Sequence, residues 1–266
     1  MKRIVWLTDI HLNFLMYQGV NAFLAEVVAA RPDVVLISGD IGESHNVCDY
    51  LNWISETLAV PIYFVLGNHD FYFGSITDTR VRVRKLCATN SRLCYLSYEE
   101  FIELTHDVAL VGHDGWADGR LGNYERSLVV MQDSKLIAEL SPFDKQARWE
   151  VLKRLADEAA AHLQSVLPLA LAAHREVFLL THVPPFLEAC WHEGQLSNEQ
   201  WLPHFTCDAV GQTILDVMRS HPERRLTVLC GHTHGSGECN PLENVHVLTG
   251  GAEYGKPQVT RVFEVE

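Results

Sequence analysis

The chain has 266 residues, a formal net charge of −13 and 47% hydrophobic residues; the charge argues against a generic nucleic-acid or anionic-membrane surface, and the apolar content is enough for a substantial core. No apolar run reaches membrane-spanning length, and Thr8 and Asp9 interrupt the first apolar stretch too early for a secretion signal, so the reading is of a soluble, cytoplasmic protein. The 7 cysteines are scattered and form no C-x-x-C, which favours reduced thiols over a disulfide framework or a thiolate zinc site.

In chain order, Ile4–Leu7 reads as a strand, Gly19–Ala30 as a helix, Val34–Ser38 as a strand, Asn46–Leu58 as a helix and Ile62–Leu66 as a strand. This alternation predicts parallel strands joined by crossover helices. A helix near Ser75–Cys87 follows, then short strands at Cys94–Leu96, Phe101–Leu104 and Val108–Val111. The stretch 115–173 is rich in charge and helix formers. Trp149, Leu152, Leu155, Ala159, Leu163 and Val166 fall at helical spacing, and the segment reads as an insertion or cap on a single domain spanning 1–266. Beyond it come a strand at Val177–Leu180, a helix at Ala209–Arg219, and strands at Leu226–Cys230, Val245–Leu248 and Val259–Phe263.

The same grammar recurs where strands end. Apolar runs lead into Thr8-Asp9-Ile10-His11, Gly39-Asp40, Gly67-Asn68-His69-Asp70, Thr181-His182 and Gly231-His232-Thr233-His234. In open α/β sheets this carboxyl edge is where sites are built. On extended chain, residues two apart share a side, so Asp9/His11 and His232/His234 would each direct a pair of donors to one place. Gly39, Gly67 and Gly231 allow the sharp turns. The candidate donors are Asp9, His11, Asp40, Asn68, His182, His232 and His234. They are too many for one tetrahedral zinc but suit two adjacent cations roughly 3.5–4 Å apart. Imidazole, carboxylate and amide oxygen together suit Mn, Fe, Zn or Co.

D-x-H, GD, GNHD, a later His after a strand, and GHTH, in this order, resemble the calcineurin-like metallophosphoesterase family. The resemblance implies a four-layer α/β/β/α sandwich of two mixed sheets flanked by helices. It implies that Asp9, His11 and His234 hold one metal, that Asn68, His182 and His232 hold a second, and that Asp40 bridges them. His69 would meet the substrate phosphate or protonate the leaving oxygen, with Asp70 orienting its ring. The activity implied is hydrolysis of a phosphomonoester or small phosphodiester, a nucleotide among the options, by a metal-bridging hydroxide without a covalent enzyme intermediate. A nuclease and a non-catalytic scaffold of the same fold are the alternatives.

Ser44 and Asp70 stand where protein Ser/Thr phosphatases carry Arg and Glu, which counts against that substrate class. Glu43 fits both a helix start and a place beside the metals. His113-Asp114-Gly115-Trp116 reads as a turn with a packed Trp, with a substrate contact as the alternative. Arg120 and Arg126 read as solvated charge. Phe186, Trp191, His192, Trp201, His204 and Phe205 fit either base stacking or the pinning of a loop, and Tyr254 reads as architectural.

Overall fold

Alternate residues of the first strand face different layers, and this fixes the architecture. The computed structural model describes residues 1–141 and 144–266; positions 142 and 143, inside the expected insertion, lie outside the described residues. Strand β1 (Lys2–Leu7) leads through helix α1 (Tyr17–Ala29) to β2 (Val34–Ser38), through α2 (Val47–Leu58) to β3 (Ile62–Val65), and through α3 (Ile76–Thr89) to β4 (Leu93–Tyr95). Strands β5 (Ile102–Glu103) and β6 (Val108–Gly112) begin a second sheet. An irregular strap containing the single turn α4 (Asp133–Leu136) then precedes the long helix α5 (Lys145–Ala173). After β7 (Glu176–Leu180) come a small hairpin, β8 (Trp191–His192) and β9 (Gln195–Leu196), then α6 (Leu202–Phe205) and α7 (Asp208–Arg219). The chain closes with β10 (Arg225–Cys230), β11 (Gly237–Leu242), β12 (Val245–Thr249) and β13 (Arg261–Val265).

One sheet has the order β13-β1-β2-β3-β4, the other β11-β12-β10-β7-β6-β5. Both are mixed: β13, β11 and β5 run antiparallel to their neighbours, while β1 to β4 and the central strands β6, β7, β10 and β12 are parallel. Ile4 and Trp6 of β1 pack with Leu110 and Leu180 between the sheets, while Val5 and Leu7 face the layer of α1, α2 and α3. On the second sheet Ala109 and Val111 turn outward against α5 and α7. The result is the four-layer α/β/β/α sandwich. Strand β2 is buried at every position, as a central parallel strand covered on both faces must be. Helix α7 places Val210, Ile214 and Met218 on one buried stripe at a spacing of four. Among the described residues, no helix is long and apolar enough to cross a membrane.

Some expectations need adjustment. Strand β11, GECNPL, lies at a sheet edge, and its Gly, Pro and polar residues gave no strand pattern. The last strand begins at Arg261 instead of Val259. The stretch 115–173 plays two parts. Its C-terminal portion, α5, packs Ala156, Ala159, Leu163 and Val166 on the second sheet as an outer layer, whereas its earlier strap runs beside the carboxyl edges of the strands.

Candidate metal centre

The candidate donors stand just after the carboxyl ends of β1, β2, β3, β7 and β10, so one face of the sandwich receives turns from both sheets. The turns are laced together before any side chain is counted. Asp9 N donates to Gly39 O at 3.1 Å, His11 N to Asp40 O at 2.9 Å, and Gly231 N to His182 O at 2.9 Å. The extended-chain argument for the paired donors does not hold. Asp9, His11, Asp40, His232 and His234 all occupy the left-handed region, with φ of 49°, 41°, 55°, 70° and 59°. Such backbone costs about 1–3 kcal/mol per non-glycine residue and clusters at functional sites. Here it turns consecutive polar side chains inward. Two glycines permit the crowding: a Cβ on Gly67 would lie 2.1 Å from Asp40 Oδ1, and one on Gly231 would lie 1.9 Å from Asp9 Oδ2.

The structure brings all seven candidate donors together in two overlapping groups. Donor atoms of Asp9, His11, Asp40 and His234 lie within 4.8 Å of one another. His11 Nε2 is 3.1 Å from His234 Nε2, and His234 Nε2 is 3.5 Å from Asp9 Oδ1. In the second group, His182 Nε2 is 3.4 Å from Asp40 Oδ1 and 3.1 Å from Asn68 Oδ1, and His232 Nδ1 is 2.9 Å from Asn68 Oδ1. Asp40 takes part in both, with Oδ2 3.7 Å from His11 Nε2.

Electrostatics set these groups apart from an ordinary turn cluster. Asp9 and Asp40 are buried, and among the described residues their ion-pair partners are all histidines. Among the described residues, no Lys or Arg lines the space above them. Burial opposes charge on His182, but Asp40 and Asp9 outweigh it and raise its pKa to about 10. Burial pushes His11 and His232 down to about 3, leaving neutral imidazoles. Buried carboxyls whose ion-pair partners among the described residues are histidines alone, together with an amide oxygen aimed at the same points, form a donor set that fits metal cations.

Two residues unnoticed in the sequence fix the Asn68 amide. Asn68 Nδ2 donates to Asp133 Oδ1 at 2.9 Å and to Tyr72 Oη at 3.1 Å, while Tyr72 donates to the same Asp133 oxygen at 2.7 Å. Both amide hydrogens are thereby engaged and Oδ1 is turned toward His182 and His232. Asp133 is near Asn68 only because the strap folds back, a contact 65 positions apart that no local pattern signals.

His69 sits at the mouth, its ring 4.6 Å from His11 and stacked on Tyr72 at 4.2 Å. Asp70 does not orient it. The Asp70 carboxylate accepts from Ile41 N, Gly42 N and Gly67 N at 2.8–2.9 Å, stapling the Asp40 turn to the Asn68 turn. The contacts of this carboxylate are to the two turns and not to the imidazole, so its role is architectural. His69 Nε2 lies 3.4 Å from the Tyr254 hydroxyl, and Tyr254 borders the mouth as well. Trp201, Phe205 and His192 wall the opposite side: Trp201 stacks on Phe205 at 5.0 Å, and Phe205 meets the His232 ring edge-on at 5.3 Å. Glu43 accepts from Asn13 and is not grouped with the donors. Arg120 is paired with Asp118 and Asp157.

Asp114 ties the sheets together beneath the site. Its buried carboxylate accepts from Leu66 N at 2.8 Å, Ser97 at 2.9 Å and Arg80 at 3.0 Å, and its backbone oxygen accepts from His182 N at 2.9 Å.

A family model described as calcineurin-like phosphoesterase matches residues 2–236. Among solved structures, a phosphopantetheinyl hydrolase of Mycobacterium tuberculosis aligns over 95% of this chain and 89% of its own, with TM-score 0.69 and 14% identity. A dimetal phosphatase from Danio rerio aligns over 96% and 89%, with TM-score 0.59 and 16% identity. No sequence match was found among curated proteins. At these identities the structural likeness concerns the fold.

Proposed function

This chain belongs to the calcineurin-like phosphoesterase family, and on that premise we propose that it hydrolyses a small phosphate ester at a centre of two cations. The observation that carries the reading is Asp40, one buried carboxylate facing histidines of both donor groups. Asp9, His11 and His234 would hold one cation, and Asn68, His182 and His232 the other, with Asp40 shared. Mn, Fe and Zn all suit this mixture. Cations bound there would supply Lewis acidity toward the phosphoryl group and lower the pKa of water.

The protein's own residues do the rest. Asp133 and Tyr72 keep the Asn68 oxygen facing inward. Asp70 keeps the two turns in register. His69, at the rim of the mouth, is placed to donate a hydrogen bond to a phosphate oxygen or a proton to the departing alcohol. The aromatic wall and Tyr254 narrow the opening, and the net charge of −13 disfavours long nucleic acid as substrate. A phosphomonoester or small phosphodiester therefore fits better than a polymer. The test is an activity panel of monoesters, diesters and nucleotides on protein reconstituted with Mn, Fe or Zn. Metal-dependent turnover of small esters supports the proposal. Faster turnover of DNA with steep salt dependence would favour a nuclease, and bound metal without turnover of any ester would favour a scaffold.

A further inference from the structure

The space directly over the donors is modest, about 200 Å³, and a larger cavity of about 330 Å³ lies beside it. Met131 lines both. Asp133 forms part of the larger cavity's wall while accepting from the Asn68 amide, and His204, another wall residue, has its backbone oxygen 2.9 Å from His232 Nε2. A molecule filling this cavity would thus stand one side chain away from the donor atoms.

Its walls are mostly apolar. Trp116, Leu140, Leu152 and Pro203 are buried there. The polar wall residues already have partners: Ser127 donates to Gln200 O at 2.7 Å, Ser134 to Met131 O at 2.8 Å and Arg148 Nε to Leu140 O at 3.1 Å, while Asp133 accepts from Asn68 and Tyr72. Lys145 directs its ammonium to the Glu125 and Ser127 carbonyls, which leaves its methylene stem as lining. At the rim, Leu128 is 89% and Val130 65% exposed, so the apolar surface continues to solvent. A nucleoside placed here would lose water from its base and sugar edges without gaining partners, a substantial penalty for each polar group.

We propose that this cavity receives the alcohol portion of the substrate, and that the preferred substrates are phosphate esters of elongated apolar alcohols. The inference rests on the phosphoesterase reading and narrows its substrate class. With about 30 Å³ the share of one water molecule, a cavity of about 330 Å³ has room for a chain several methylenes long.

The experiment compares straight-chain alkyl monophosphates, from ethyl to octyl, on the metal-loaded enzyme. The expected kcat/KM rises about three- to fourfold per added methylene until the cavity is full. Substituting Val129→Trp, or Ser134→Phe as a second variant in case the first fails to fold, should collapse the octyl-to-ethyl ratio toward one. In parallel, calorimetric titration of 1-hexanol into metal-free protein should show binding with a negative heat-capacity change, lost in the variants. Turnover of ethyl phosphate with no dependence on chain length would overturn the proposal while leaving the metal centre intact. If no ester of any length is hydrolysed, the phosphoesterase reading fails and the hexanol titration alone decides the cavity: binding lost in the variants supports an apolar-chain site, and absence of binding overturns it.

Discussion

Asp114→Asn should weaken the fold by about 3 kcal/mol. The substitution keeps the shape but removes the negative charge facing Arg80, which is only 7% exposed. Stripping one partner from a buried ion pair costs about 3–5 kcal/mol. Arg80 keeps Glu158 at 2.8 Å, a carboxylate whose side chain is half in solvent, so the lower end of that range applies. A carboxamide in the same place must also turn its NH₂ toward either Leu66 N and Ser97 or the Arg80 and Tyr95 donors, adding a donor–donor conflict whichever way it faces. With a urea m-value of about 3 kcal/mol/M, the unfolding midpoint should fall by about 1 M. Acid should erase the difference. Burial opposes charge on Asp114, but Arg80, His113 and the surrounding donors outweigh it and hold the carboxyl below the usual carboxylate range. A depressed folded pKa gives stability that is fully present above the unfolded value of about 4 and is lost as pH falls through the folded one. Wild type and variant should therefore differ by a constant amount near neutrality and converge only below about pH 4. A variant within 1 kcal/mol of wild type at pH 7, or a gap that widens in acid, would refute the assignment of Asp114 as the anchor between the sheets.

Other substitutions separate chemistry from architecture. His69→Ala should retain metal but lose about 10²–10⁴-fold in kcat, measured on a nitrophenyl ester with metal content checked by mass spectrometry. Asp133→Ala, which frees the Asn68 amide to flip, should weaken metal affinity about 10–100-fold in a chelator competition; Asp133→Asn, still able to accept, should lose less. Asp70→Asn should act on stability and metal retention together, because its oxygens hold the Asp40 and Asn68 turns and not the His69 ring. Gly231→Ala should displace Asp9 and abolish tight binding of the cation it shares with His234, with wild-type metal affinity as the outcome against it.

The fold was legible because its strands and crossover helices carry strong local patterns. Val34–Ile37 is uniformly apolar, and α7 repeats Val210, Ile214 and Met218. The donors were legible because each follows such a strand directly, so their meeting depends only on the shared edge of the two sheets. What stayed hidden depends on distant or irregular chain. Asp133 meets Asn68 through the strap, and Asp114 reads as a turn residue until Arg80 and Leu66 are brought to it. Asp70 adjoins His69 in sequence, which suggested a pair, yet the one-turn helix His69–Phe71 sends the two side chains to different places. The paired donors converge through left-handed backbone, where strand alternation had been expected.

The central claim is that one carboxylate, held between two sheets, is shared by two cations. Anomalous diffraction from crystals grown with manganese tests it most directly. The account predicts two peaks flanking Asp40, one beside Asp9, His11 and His234 and the other beside Asn68, His182 and His232. An absence of peaks there, or a single ion bound without Asp40, would contradict it.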